Sequence, residues 1–145
     1  MTLTDQKITQ TVLVVVSDVF FYTKVRDALL AQGYVLERAR SQDEVLAKAG
    51  TLPLGAIVLN MNDEKVDAFQ ALEGIRRDNR CRALPVLAFA NHEEVDTWKR
   101  ARELGVTKIV SRNEFSARTL ALVEEVISGG SVPSGQDQPK RDDDQ

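Results

Sequence analysis

The chain has 145 residues, enough for one domain and too few for a second full one. Hydrophobic residues make up 43% and charged residues 28%, and 19 basic against 22 acidic side chains leave a net charge of −3, which argues against a nucleic-acid binder driven by overall charge. One cysteine, Cys81, and one histidine, His92, exclude an internal disulfide framework and a His/Cys metal cluster.

Residues 1–10 form an N-terminal extension with no apolar signal core, and no apolar run is long enough to cross a bilayer, so the expectation is a cytoplasmic protein without membrane contact. Val12 to Val16 is a continuous β-branched run that suits a strand buried on both faces. Asp18 to Gln32 has helical spacing, with Phe21, Val25, Ala28 and Leu29 on one face and Gly33 as a stop. Phe20, Phe21 and Tyr22 are consecutive, and one helix face cannot hold all three, so Phe20 or Tyr22 is left outside. Tyr34 to Ala39 predicts a short strand. Ser41 to Glu44 is a capping box for a helix carrying Val45, Leu46 and Ala49 that Gly50 ends. Gly55 to Asn60 predicts another buried strand. Asp67 caps a helix that buries Ala68, Leu72 and Ile75. Cys81, between Arg80 and Arg82, is read as an ordinary thiol, with a redox thiol as the alternative. Pro85 to Ala90 predicts a fourth strand, with proline where no ladder donor is required. Asn91 with Glu94 caps a helix in which Val95, Trp98 and Ala101 are spaced by three, and His92 falls in its first turn on the surface. Gly105 stops it. Val106 to Val110 predicts the fifth strand. Ser116 caps a last helix that buries Leu120, Val123, Val126 and Ile127. Residues 129–145 hold one apolar residue, Val132, and predict a disordered tail.

Strands alternating with helices over residues 11–128 predict a three-layer α/β domain, doubly wound around a five-stranded parallel sheet of order 2-1-3-4-5. Ligand sites in such sheets lie at the carboxyl ends of the strands. Those ends are Val16 to Asp18, Asn60 to Asp63, Ala90 with Asn91, and Ser111 to Asn113.

The order of elements, with VLVVVSD, GAIVLNMND, LPVLAFAN and ELGVTKIVSRNEF, resembles the receiver domain of two-component response regulators. The resemblance covers about residues 11–128. It implies two acids after the first strand and an aspartate after the third that hold Mg²⁺. That aspartate accepts the phosphoryl group, which a Ser/Thr after the fourth strand and a Lys after the fifth contact. All five positions depart from the pattern. The acidic pair aligns with Val16 and Ser17, the acceptor with Asn60, the hydroxyl with Ala90 and the lysine with Arg112. The proline after the lysine is Asn113, and the aromatic position of the fifth strand is Ile109. Mg²⁺ prefers hard oxygen ligands and keeps one or two carboxylates. An amide oxygen is no nucleophile for phosphoryl transfer, so no acyl phosphate is expected at Asn60.

Asp18 and Asp63 are the nearest surviving acids. They are read as solvated loop acids, with a rebuilt metal site and an ion pair to Arg112 as alternatives. From Thr97 to Arg118 the basic residues are Lys99, Arg100, Arg102, Lys108, Arg112 and Arg118, against Glu103 and Glu114. The fourth helix, fifth strand and fifth helix hold them, the face that receivers use for partners. The expectation is therefore a stand-alone pseudo-receiver, not an enzyme and without cofactor or metal, that signals through protein contact. Its contact face is Trp98, Lys99, Arg100, Arg102, Lys108 and Arg118, its partner is acidic, and a second copy of the chain is the alternative partner. The competing readings are a divergent receiver in a phosphorelay and a flavodoxin-like small-molecule binder; no glycine lies in the first βα turn for a dinucleotide site.

Overall fold

The computed structural model describes residues 10–129. Five parallel strands, β1 (Thr11–Val15), β2 (Val35–Ala39), β3 (Leu54–Asn60), β4 (Val86–Ala90) and β5 (Lys108–Ser111), form one sheet in the order β2-β1-β3-β4-β5. The helices are α1 (Val19–Leu30), α2 (Gln42–Thr51), α3 (Ala68–Arg77), α4 (Val95–Glu103), α5 (Arg112–Ala117) and α6 (Thr119–Ile127). Architecture and strand order are as the sequence predicts. Val15 lies opposite Leu59, Asn60 opposite Phe89 and Ala90 opposite Ser111. This register brings the carboxyl ends of β1, β3, β4 and β5 to one rim. Among the described residues, no helix is long and apolar enough to cross a membrane.

A core lies on each face of the sheet. Side chains alternate along a strand, so the apolar run of β1 feeds both. Leu13, Val15, Ile57, Leu59 and Ala88 face α2, α3 and α4, where Val45, Leu72, Ile75 and Ala101 meet them. Val12, Val14, Val58 and Phe89 face α1, α5 and α6. There Phe89 stacks on Phe115 with centroids 4.5 Å apart, and Phe21 tilts against both rings.

Several local expectations are corrected. α2 runs through Gly50 to Thr51, and Leu52, extended at φ −94° and ψ 148° ahead of Pro53, ends it. A residue before proline avoids the helical region, and here that outweighs the glycine. α4 starts at Val95, so Asn91 is not its cap and His92 lies in the preceding turn. Val95 is 71% exposed, while Ala101 is fully buried. The last helical segment is two helices. Ser111 caps α5 by accepting from the Glu114 N–H at 3.0 Å; Ser116 lies inside α5 and caps nothing, and α6 opens at Thr119, after Arg118, without a side-chain cap. Leu122 joins Val123 and Val126 in the core, whereas Leu120 and Ile127 are only partly buried. The expected extension and tail lie outside the described residues except at their inner ends. Gln10 joins the sheet edge by accepting from the Val35 N–H at 2.9 Å, and Gly129 closes α6 at φ +82°.

Candidate functional site at the strand ends

Val16 follows β1 and is fully buried, packed with Phe21 and Phe89. Its side chain offers no ligand atom to the rim. Ser17 and Asp18 come next. Asp18 caps α1, its Oδ1 accepting from the N–H groups of Phe20 at 2.9 Å and Phe21 at 3.0 Å. Asp63 is further engaged. Its Oδ1 accepts from the Ser17 N–H at 2.7 Å, and its Oδ2 from the N–H groups of Lys65 at 3.0 Å and Val66 at 3.2 Å. Neither acid is a free loop carboxylate, as the solvated reading had it. Each ties backbone donors together.

Asn60, the last residue of β3, is 5% exposed, and its Oδ1 accepts from the Asn62 N–H at 2.9 Å. Asn62 then bridges to the β4–α4 loop. Its Nδ2 donates to Glu94 Oε1 at 2.7 Å, and its Oδ1 accepts from the Asn91 N–H at 3.0 Å. Glu94 also accepts from Asn91 Nδ2 and Thr97 Oγ1. The amide donor of Asn62, then that of Asn91, holds the Glu94 carboxyl below the usual carboxylate range. Trp98 Nε1 closes the network by donating to the Asn91 carbonyl at 3.0 Å. Sequence reasoning found Asn60 through the resemblance but gave Asn62 and Glu94 no joint role. Their bond joins loops 32 residues apart, and no local pattern signals it.

Two guanidinium groups border the rim. Arg38, at the edge strand β2, donates to the carbonyls of Val16 at 3.2 Å and Ser17 at 2.9 Å and lies over the Tyr22 ring at 4.5 Å. Sequence reading passed over it. Arg112 begins α5 and lies over the Phe21 ring at 4.3 Å. It pairs with neither Asp18 nor Asp63, because those carboxylates cap backbone N–H groups instead. Ala90 ends β4, buried, with no hydroxyl to offer. The positions that would hold Mg²⁺ in a receiver therefore do not fit it: Val16 gives no donor, Ser17 and Asn60 are neutral, and the nearby acids are occupied. Among the described residues, no three His, Cys, Asp or Glu side chains group as a metal site.

The basic stretch divides over several surfaces. Arg100 lies over the Phe69 ring of α3 at 4.2 Å, so it faces α3 rather than β5. Arg102 lies over Trp98 on the other flank of α4. Lys108 pairs with Glu125 at 3.1 Å and Arg118 with Glu114 at 2.7 Å. Lys99 is exposed. Phe20, at 83% exposure, is the aromatic left outside α1, while Tyr22 is half-buried under Arg38. Cys81 is buried, and that burial pushes its thiol up, opposite to a low-pKa redox cysteine. A hollow of about 520 Å³ lies between α1 and the α5–α6 segment, lined by Phe21, Val25, Ala28 and Leu120. It is away from the strand ends, where a flavodoxin-like ligand would sit.

Neither a family model nor a curated protein matches the sequence. Solved structures do match the fold. The receiver domain of the sensor histidine kinase PA1611 from Pseudomonas aeruginosa superposes with a TM-score of 0.74 at 16% identity, over 83% of this chain and 99% of that one. The chemotaxis response regulator CheY4 of Vibrio cholerae gives 0.69 at 22% identity, over 80% and 99%. The phosphorylated cyanobacterial phytochrome response regulator RcpA gives 0.73 at 17% identity, over 88% and 100%. The fold is that of CheY-like receiver domains. At these identities the likeness is one of architecture.

Proposed function

We propose that the chain is a pseudo-receiver: a receiver-like domain that works in signal transduction through protein contact, without aspartyl phosphorylation and without turning over a substrate. The observation that carries this reading is Asn60, a buried amide at the acceptor position whose oxygen already accepts from the Asn62 N–H. The PA1611 receiver domain has a magnesium ion coordinated in its active-site cleft. Here Val16, Ser17 and Asn60 supply no carboxylate for such an ion. In place of a phosphoryl group, the Asn62–Asn91–Glu94 bonds hold the β4–α4 loop in one arrangement. A partner would then read a fixed surface. An acidic partner at Trp98, Lys99 and Arg102 fits the cations of that flank of α4, Lys99 and Arg102, that pair with no carboxylate among the described residues. A cytoplasmic location belongs to the same reading.

The test is intact mass after incubation with acetyl phosphate and Mg²⁺. Wild type should stay unmodified, and so should Asn60→Asp, which returns a carboxylate but no metal site. A stoichiometric, base-labile phosphate on wild type would overturn the reading and favour the phosphorelay alternative.

A further inference from the structure

The C-terminal ends of α3 and α4 meet at the pole opposite the rim, beside the amino ends of β4 and β5. Residues 76–82 carry four cations, Arg76, Arg77, Arg80 and Arg82, against one carboxylate, Asp78, in a chain whose net charge is −3. Arg76 sets the geometry. Its Nε and Nη2 donate to the Gly105 carbonyl at 3.0 and 2.8 Å, and its Nη1 donates to the carbonyls of Arg82 at 2.9 Å and Leu84 at 2.8 Å. One guanidinium thus ties the α3–β4 loop to the α4–β5 turn. Buried Cys81 anchors the same loop, and Arg80 is held on Asp78 at 2.7 Å. The side chains of Arg77 and Arg82 are exposed and, among the described residues, make no hydrogen bond or ion pair.

We propose that this pole is a docking surface for an acidic segment of a partner protein, received by the guanidinium forks of Arg77 and Arg82. A planar fork takes a carboxylate through two parallel N–H bonds, which a lysine cannot do. Loops already fixed by Arg76 lose little freedom on binding. A nucleic acid fits less well. Phosphate-driven binding needs an extended basic track, and the acidic remainder of this chain would repel the rest of the polymer. The inference rests on the reading that the domain acts by protein contact, and it places a contact on a different surface from the α4–β5–α5 face.

The probe is a fluorescein-labelled oligoglutamate peptide, titrated with wild type and followed by polarisation. Binding should saturate at low salt and weaken as salt rises from about 20 to about 300 mM. Arg77→Glu with Arg82→Glu should weaken it by at least about tenfold. Lys24→Glu with Arg26→Glu, the same charge change on α1, should weaken it far less. If the glutamate pair fails to fold by circular dichroism, Arg77→Gln with Arg82→Gln should show a smaller loss in the same direction. Absence of saturable binding, or an equal loss in the α1 variant, would overturn the proposal. So would tighter, arginine-dependent binding of single-stranded oligo-dT, which would make the pole a nucleic-acid site. The titration reads no phosphorylation, so the two ideas fail separately. A chain that takes a phosphate yet binds the peptide here loses only the pseudo-receiver reading. An unmodified chain whose peptide affinity ignores these arginines loses only the pole.

Discussion

Both carboxylate oxygens of Asp63 are taken by backbone donors, while Arg38 grips the same stretch of chain from its carbonyl side. Ser17 is thus held at both ends: its N–H by an anion and its C=O by a cation. Charge-assisted bonds of this kind are among the strong ones. Removing Asp63 strands the part-buried Ser17 N–H and frees the Lys65–Val66 turn. Asp63→Ala should therefore cost about 1–3 kcal/mol, read as a fall in the urea midpoint at unchanged slope. A loss under about 0.5 kcal/mol, the scale of ordinary surface substitutions, would mean that water replaces the bonds without cost. Part of this was legible in sequence. An aspartate two and three residues before its own turn donors is a local pattern, but its bond to Ser17 spans 46 residues and has no local sign. The five positions that the resemblance aligns with a receiver's site, Val16, Ser17, Asn60, Ala90 and Arg112, lie at or just past strand ends, and those ends the alternation of elements already sets.

At the scale of elements, the start of α4 depends on partners rather than on its own cap. Asn91 has the residue type of a cap, but its N–H goes to Asn62 and its side-chain amide to Glu94, so the helix opens later without a side-chain cap. The break between α5 and α6 had a readable sign that was missed. Ser111 and Glu114 repeat the spacing of Ser41 and Glu44, and both serines accept from the N–H three residues on. The Glu94 network has a pH signature. Its carboxyl is held below the ordinary value of 4.5 in the folded chain. A depressed folded value gives stabilisation that is complete above the unfolded value and lost as pH falls through the folded one. Glu94→Gln should lower Tm at neutral pH, and its gap from wild type should narrow as pH drops below 4.5. Glu44 and Asp78, also depressed, are present in both proteins and cancel in the comparison. A gap that stays constant through the acid range would show that the Glu94 charge is not what secures the loop.

Across the whole molecule, one sheet couples two cores that share no side chain. Alternate residues of β1, β3 and β4 enter opposite faces, so neither core can loosen without disturbing the strands that carry the other. The fold was legible at this scale because buried parallel strands read as unbroken apolar runs. The assignment of single helix residues to a face was less so: Val95 turned outward and Leu122 inward once α4 and α6 took their actual starts. Coupling through the sheet predicts one cooperative unfolding transition, as is usual for a domain of this size. Trp98, the one tryptophan, reports on the α4 side, where it packs against the core of Leu72 and Ile75. Leu122 is fully buried on the opposite face, among Val123, Phe89 and Phe115. Leu122→Ala opens a cavity there and should cost about 2–5 kcal/mol. In one cooperative unit, the tryptophan transition must move down with the far-ultraviolet circular dichroism transition by the same amount, roughly 10 °C. A shift in circular dichroism that leaves the Trp98 transition in place would mean that the two faces unfold separately. The α4 surface would then owe nothing to the α1–α6 side of the sheet.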